Sequence, residues 1–210
     1  MSPLFDSGIT VVNSGANAGI YVGGTASYST LGGVGQWVVR KSGDGGSSWS
    51  TVDKYTYNGV NGASSFGLAS DAAGNVFATG NAGSSAGGHW VTRQTSNGGG
   101  SWSTIDDWQY AAGQSTTSRA VGFDGNGNLI TVGGSGGHAL ARTLVNGTWT
   151  VVDDYVGGSY TSVGTDNLGY TYAAGTSTGS SQWIVRDPPP SSSVFSDVVV
   201  GKHHGKHRHH

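Results

Sequence analysis

The octapeptide Ser42-Gly43-Asp44-Gly45-Gly46-Ser47-Ser48-Trp49 returns, altered, as Thr95-Ser96-Asn97-Gly98-Gly99-Gly100-Ser101-Trp102, 53 residues further on. Each copy follows Trp-Val-x-Arg and precedes Ser-Thr-(Val/Ile)-Asp. The flanks, residues 37–41 and 49–53, carry the Trp, Val and Thr residues that suit a pleated strand. Between them, Gly-Gly with Asp or Asn supplies the positive φ angles and side-chain-to-backbone bonds of a tight connection. Each copy therefore reads as an antiparallel hairpin. Counting outward from the turn, Arg40 should face Asp53, and Arg93 should face Asp106, as charge pairs that fix register. Self-similarity at roughly 40–55 residues is the mark of propeller blades or stacked arrays.

The spacing Ser-x-Asp-x-Gly-x-Ser-Trp also resembles the Asp-box, the short repeat of sialidase-like β-propellers. Ser42, Asp44, Gly46, Ser48 and Trp49 match it; Thr95, Asn97, Gly99, Ser101 and Trp102 match with Asn in place of Asp. The resemblance implies that the motif joins the third and fourth strands of a blade. It implies that the Asp binds backbone and the Trp packs under the turn, a structural role and not a catalytic one.

Four units follow, each with four strand-like runs. The expected fold is all-β: a propeller of four-stranded antiparallel blades over approximately residues 5–58, 59–111, 112–156 and 157–200, within a propeller domain spanning 1–200. Asp71, Asp124 and Asp166 open Asp-x-x-Gly connections between the first two runs of units two to four, with Gly in the left-handed position. Asn146-Gly147 is a two-residue hairpin turn. Unit four is the most drifted: Gln182-Trp183-Ile184-Val185-Arg186 repeats Gln36-Trp37-Val38-Val39-Arg40, but Pro188-Pro189-Pro190 replaces the turn motif. On the first runs Gly67, Ala69, Ala120, Gly122, Ser162 and Gly164 are small, as neighbouring sheets crowding at an axis require. Trp37, Trp90 and Trp183, with Trp49, Trp102 and Trp149, should fill the space between blades further out. Open blade faces are unstable, so three closures compete. They are, in order of expectation, a closed four-bladed ring, two chains completing a larger ring, and a fragment of a longer protein.

Composition narrows the classes. Gly is 39 of 210 residues without a collagen period, and recurrent Trp, Tyr and Val argue against disorder. Cysteine is absent, so no redox compartment can be inferred. The net charge of −2 gives no basic field for nucleic acid. No apolar run approaches the ~20 residues that span a bilayer. The N-terminal residues lack the charged-then-apolar order of a signal peptide, yet low charge and the family resemblance favour an exported protein.

A sialidase-like site would need converging arginines, a Tyr activated by Glu, and an Asp acid. All 12 acidic residues are Asp, so that activator is missing. Arg40, Arg93, Arg142 and Arg186 recur once per unit on third strands, away from an axis; Arg119 alone stands on a first strand and is the candidate ligand contact. Asp106-Asp107 and Asp153-Asp154 offer paired carboxylates, but their recurrence points to blade structure. Ca²⁺ binding by Asp71, Asp124 and Asp166 is less favoured than local turn bonding. His89 and His138 are again repeat-equivalent. The remaining five histidines, His203, His204, His207, His209 and His210, lie in the tail at 201–210, a candidate site for a divalent transition metal, with an expression-derived tail as the bland alternative. Asn146-Gly147-Thr148 fits a glycosylation sequon already explained by its turn.

The leading expectation is a non-enzymatic binding or assembly module, probing glycan or protein ligands with the ring mouth and the loops at 26–35, 81–88 and 177–181. A sialidase-like hydrolase or lyase is the second reading, and a self-assembling structural protein, a homo-oligomer, the third.

Overall fold

The computed structural model of the chain describes residues 5–27, 35–59, 61–84, 87–178, 182–187 and 196–198. Pro188-Pro189-Pro190, most of the 26–35 loop, residues 179–181 and the histidine tail lie outside these. The described residues form sixteen strands and no helix. β1 (Phe5–Val12), β2 (Gly19–Ser27), β3 (Gly35–Ser42) and β4 (Ser50–Tyr55) make one sheet. β5 (Ala63–Ser70), β6 (Val76–Ser84), β7 (Gly87–Thr95) and β8 (Ser103–Trp108) make the second. β9 (Thr116–Phe123), β10 (Leu129–Ser135), β11 (His138–Val145) and β12 (Thr148–Val156) make the third. β13 (Gly158–Thr165), β14 (Thr171–Ser177), β15 (Trp183–Asp187) and β16 (Ser196–Val198) make the fourth. Each sheet is antiparallel with its strands in chain order, which is the blade of a β-propeller.

The first strands converge. β1 packs on β5, β5 on β9, and β9 on β13, whereas the fourth strands stand apart. Small residues permit this approach. A Cβ on Gly8 would lie 2.9 Å from the Leu68 amide nitrogen, and one on Gly67 would lie 3.0 Å from the Ala120 Cα. Any side chain there would push successive blades apart. Packing of the β1–β5 kind does not recur between β13 and β1, so the described blades form an arc and not a closed ring. The four-bladed closure expected first is not seen among the described residues.

Apolar residues fill the three joints between blades. Trp37, Val39 and Tyr21 of the first blade meet Leu68, Ala78 and Val91 of the second. Phe77 meets Val121 and Leu129 between the second and third. Ile130, Val132 and Ala141 meet Tyr160 and Ala173 between the third and fourth. Middle blades are buried on both faces, so β10 shows almost no polar alternation. Trp37 and Trp90 are 0% exposed, as their core role requires, but Trp183 is 78% exposed. The reason is positional: Trp37 points towards the next blade, and no described blade packs on the corresponding face of the fourth.

Candidate functional site

The repeated turns are closed systems. Asp44 Oδ1 accepts from the Ser48 amide at 2.9 Å and from the Ser42 hydroxyl at 2.8 Å, and Oδ2 accepts from the Ser48 hydroxyl at 2.6 Å. These bonds hold the Asp44 carboxyl down to about 2, the Ser48 hydroxyl contributing most. Gly46, at φ 98°, donates its amide to Ser42 Oγ, and its carbonyl accepts from the Trp49 indole at 3.0 Å. In the second turn Asn97 Oδ1 accepts from the Ser101 amide at 2.9 Å, Gly99 stands at φ 94°, and Trp102 packs on the first joint. Asn works here because it keeps the acceptor and turns the other contact into a donor to Ser101. The connections at Asp71, Asp124 and Asp166 are Asx turns: each Oδ1 accepts the amide four residues on, at 2.8 to 2.9 Å. Oδ1 of each is committed to backbone, and Oδ2 accepts from the Asn75, Asn128 and Tyr172 side chains in turn.

The recurrent arginines do not pair as the hairpin count expects. The fourth strands bulge, so Asp53 sits opposite Val39 while Arg40 sits opposite Thr51; Asp106 and Asp153 likewise face Thr92 and Ala141. One inserted residue puts the Asp and the Arg of a blade on opposite faces. The pairs form between blades instead. Arg93 donates through Nε and Nη2 to both oxygens of Asp53 at 2.8 and 2.9 Å. Arg142 donates to Asp106, and Arg186 to Asp153 at 2.9 Å. Each guanidinium also lies over an aromatic ring of the preceding blade: Tyr55, Trp108 and Tyr155, at 4.4, 4.2 and 5.0 Å. Burial pushes the Asp106 carboxyl up to about 6 against the pull of Arg142. Asp153 is raised for the same reason.

The second acid of each pair is also taken. Asp107 accepts from His89 Nδ1 at 2.6 Å, with Tyr57 stacked on the imidazole at 4.8 Å. Asp154 accepts from His138 Nδ1 at 2.6 Å and from the Tyr110 hydroxyl at 2.9 Å. Two copies of one Tyr-His-Asp arrangement tie the linkers between blades to the third and fourth strands. Of the loop at 81–88, residues 81–84 belong to β6 and 87–88 to β7, leaving only the tip as a connection.

What does not recur lies on the inner rim. Each first strand carries one extra residue at a bulge: Ser7, Phe66, Arg119 and Thr161. The flanking residues keep their roles from blade to blade, but these four differ in chemistry. Arg119 is exposed, and its guanidinium rests 4.8 Å over the Phe66 ring. Among the described residues it has no carboxylate within ion-pairing reach. Thr161 is exposed on the next first strand. Sequence reasoning singled out Arg119, which lies on β9 as expected, and did not single out Phe66 or Thr161. The signal was there: Phe66, Arg119 and Thr161 each stand five residues before the turn acids Asp71, Asp124 and Asp166. No group of three or more metal-ligating side chains occurs among the described residues. None of their helices could cross a membrane, since the described residues contain no helix at all.

No protein-family model matches the sequence, and neither does any curated protein. Solved structures do. YCF48 bound to D1 peptide is similar at a TM-score of 0.55 and 13% identity, over 94% of this chain and 53% of that one. A protein of unknown function from Dyadobacter fermentans is similar at 0.60 and 15%, over 92% and 68%. A GH43_12 protein retrieved from a capybara gut metagenome is similar at 0.50 and 12%, over 90% and 40%. At these identities the likeness shows the propeller fold alone. The chain spans about half the length of YCF48.

Proposed function

We propose that this chain is a non-enzymatic propeller module that binds an anionic segment of a protein or glycan at its inner rim. The observation that carries the reading is Arg119 on its Phe66 shelf. Every recurrent charged pair is spent on turns and joints, and this cation is placed at the point where the blades differ. An apolar ring beneath a guanidinium favours a ligand that brings both a carboxylate and a flat or aliphatic group. A propeller neighbour solved with a bound peptide makes a peptide the first ligand class to test. Resemblance to the Asp-box repeat supports kinship with sialidase-like propellers, and export fits the low charge. The tail histidines are proposed to hold a divalent transition metal without a part in this rim.

The hydrolase reading rests on the GH43 neighbour and the paired acids. Asp106, Asp107, Asp153 and Asp154 are each engaged by Arg or His, which favours binding over acid–base chemistry. The test is a titration of acidic peptides, each as free acid and amide, followed by calorimetry. Binding of the acids with at least a tenfold loss in Arg119→Gln is expected, the range of about 1.5–3 kcal/mol for a charge-assisted bond. Equal affinity in the variant, or turnover of aryl glycosides abolished by Arg119→Gln, would overturn the reading.

A further inference from the structure

Two of the connections between blades are pinned by the same set of side chains. The first, after β4, folds back where Tyr57 and Asn61 exchange backbone hydrogen bonds at 2.8 Å. The second, after β8, is drawn in where the Tyr110 amide donates to Thr116 Oγ1 and the Gln114 amide to the Ala111 carbonyl, both at 3.0 Å. The Tyr57 and Tyr110 rings lie on His89 and His138 at 4.8 Å. Each imidazole meets the second acid of its blade's fourth strand through Nδ1, at 2.6 Å. The phenols reach the same groups: Tyr57 Oη stands 3.2 Å from His89 Nδ1, and Tyr110 Oη donates to Asp154 Oδ2.

Among the described residues the pins stand at the two connections that lead into the inner-rim pair. The first connection runs into β5, which bears Phe66, and the second into β9, which begins at Thr116 and bears Arg119. Between β12 and β13 the connection is Gly157 alone, and the strand it enters carries Thr161. Gln36 and Gln182 hold the place of His89 and His138 in the first and fourth blades. A hydrogen bond to a carboxylate asks only for a donor, which glutamine supplies. Imidazole adds a charge that changes between about pH 5 and 8.

His89 faces Asp107 of β8 and Tyr57 of the connection, and Tyr55 of β4 feels the same Asp107. His138 faces Asp154 of β12 and Tyr110. The neighbouring acids Asp106 and Asp153 are held in the joints by Arg142 and Arg186. Burial pushes the Tyr57 hydroxyl up, and the bond to Asp154 does so at Tyr110, so neither phenol ionises in this range. Both imidazoles are about one quarter exposed, so solvent protons reach them. A charged imidazole gives its aspartate a charge-assisted bond and a neutral one an ordinary bond. Each pin therefore tightens as pH falls through the imidazole range, for as long as its aspartate is charged.

We propose that the two Tyr-His-Asp pins are a proton-operated latch on the inner rim, holding Phe66 and Arg119 in contact when the imidazoles are charged and loosening that contact when they are neutral. Its use in binding rests on the rim reading given above; its operation does not need a ligand. One partly exposed ion pair moves an equilibrium by up to about fivefold. Acidic peptides should therefore bind about three- to tenfold more tightly at about pH 5.5 than at about pH 8.

The test is nuclear magnetic resonance of the labelled full chain, without ligand, between those two pH values. The Arg119 side-chain protons, which sit over the Phe66 ring, should move further in the ring-shifted direction as pH falls. Protection of the Asn61, Tyr110 and Gln114 amides against exchange should rise with them. Both responses should vanish in the double variant His89→Gln with His138→Gln, the residue that the first and fourth blades use. They should vanish too in Asp107→Asn with Asp154→Asn, which keeps the imidazoles and so separates a latch from the long-range field of their charge. Asp106, pushed up to about 6, titrates in the same window, but both double variants retain it and its share cancels. Arg119 shifts that ignore pH in the wild type, or that persist in either double variant, would overturn the latch. So would acidic peptides that bind with one affinity across the range. Absence of peptide binding at every pH would break the rim reading instead, and the ligand-free shifts would still decide the latch.

Discussion

Arg142 and Arg119 belong to the same blade, and almost everything else about them differs. Arg142 is buried, gives its hydrogen bonds to Asp106 of the preceding blade, and lies between the rings of Trp108 and Trp149. It has counterparts in Arg93 and Arg186. Arg119 is exposed, touches one phenyl ring, and stands where the other blades put Ser, Phe or Thr. In a repeat protein the residue that returns at each period is the one the joints need. A residue that departs from the period at a fixed structural place is released from that need. On the reading proposed above, the contrast separates the residues that build the joints from the one proposed to meet a ligand.

The contrast is most severely tested at the joints. Arg93→Ala leaves Asp53 buried and unpaired, and denaturant unfolding should show a loss of about 3–5 kcal/mol. Replacing both partners by apolar residues of like volume should recover much of that loss, because the desolvation cost disappears with the charges. Equal costs for the single and double changes would break the view that the pair is a unit.

The tryptophans come next. Trp37→Ala empties a fully buried site and should cost about 3–5 kcal/mol. Trp183→Ala, at the equivalent place on an open end, should stay within about 0.5 kcal/mol in the isolated chain. Stability measured at low protein concentration, where any assembly is dispersed, checks the pair. Similar costs at the two sites would mean that something else covers the last blade.

A smaller effect comes from titration. Folded Asp106 holds its proton up to about 6, whereas the ordinary value is 3.8. The folded state therefore binds more protons across that window, so this group makes stability fall as pH rises from about 4 to about 6. Asp44 acts in the opposite sense: held down to about 2, it adds stability as pH rises from there towards 3.8. Asp106→Asn should flatten the upper window and leave the lower one intact, read from urea midpoints against pH.

Much of this was legible in the chain, for a physical reason. Turns are local: Asp44 with Ser42 and Ser48, the Asx bonds at Asp71, and the positive φ at Asn146-Gly147 are decided by residues within a few positions of one another. So are the small residues at Gly67 and Ala120, since repetition marks them. The inserted residue at the fourth-strand bulge was not legible. Period-two counting from the turn pairs Arg40 with Asp53, and one extra residue puts them on opposite faces of the sheet, so that Asp53 meets Arg93 of the next blade. Trp183 was misread because its surroundings depend on a blade that no nearby residue specifies. Arg119 was found by its strand, but its partner Phe66 comes from the neighbouring sheet, beyond what strand patterns resolve.

The claim that recognition sits where the repeat is broken meets its most direct test in chemical-shift mapping of the labelled protein against the acidic peptide series. Shifts confined to Phe66, Arg119, Thr161 and their strand neighbours are expected. Shifts centred on the outer turns at 42–49 and 95–102, with the inner rim unmoved, would contradict it.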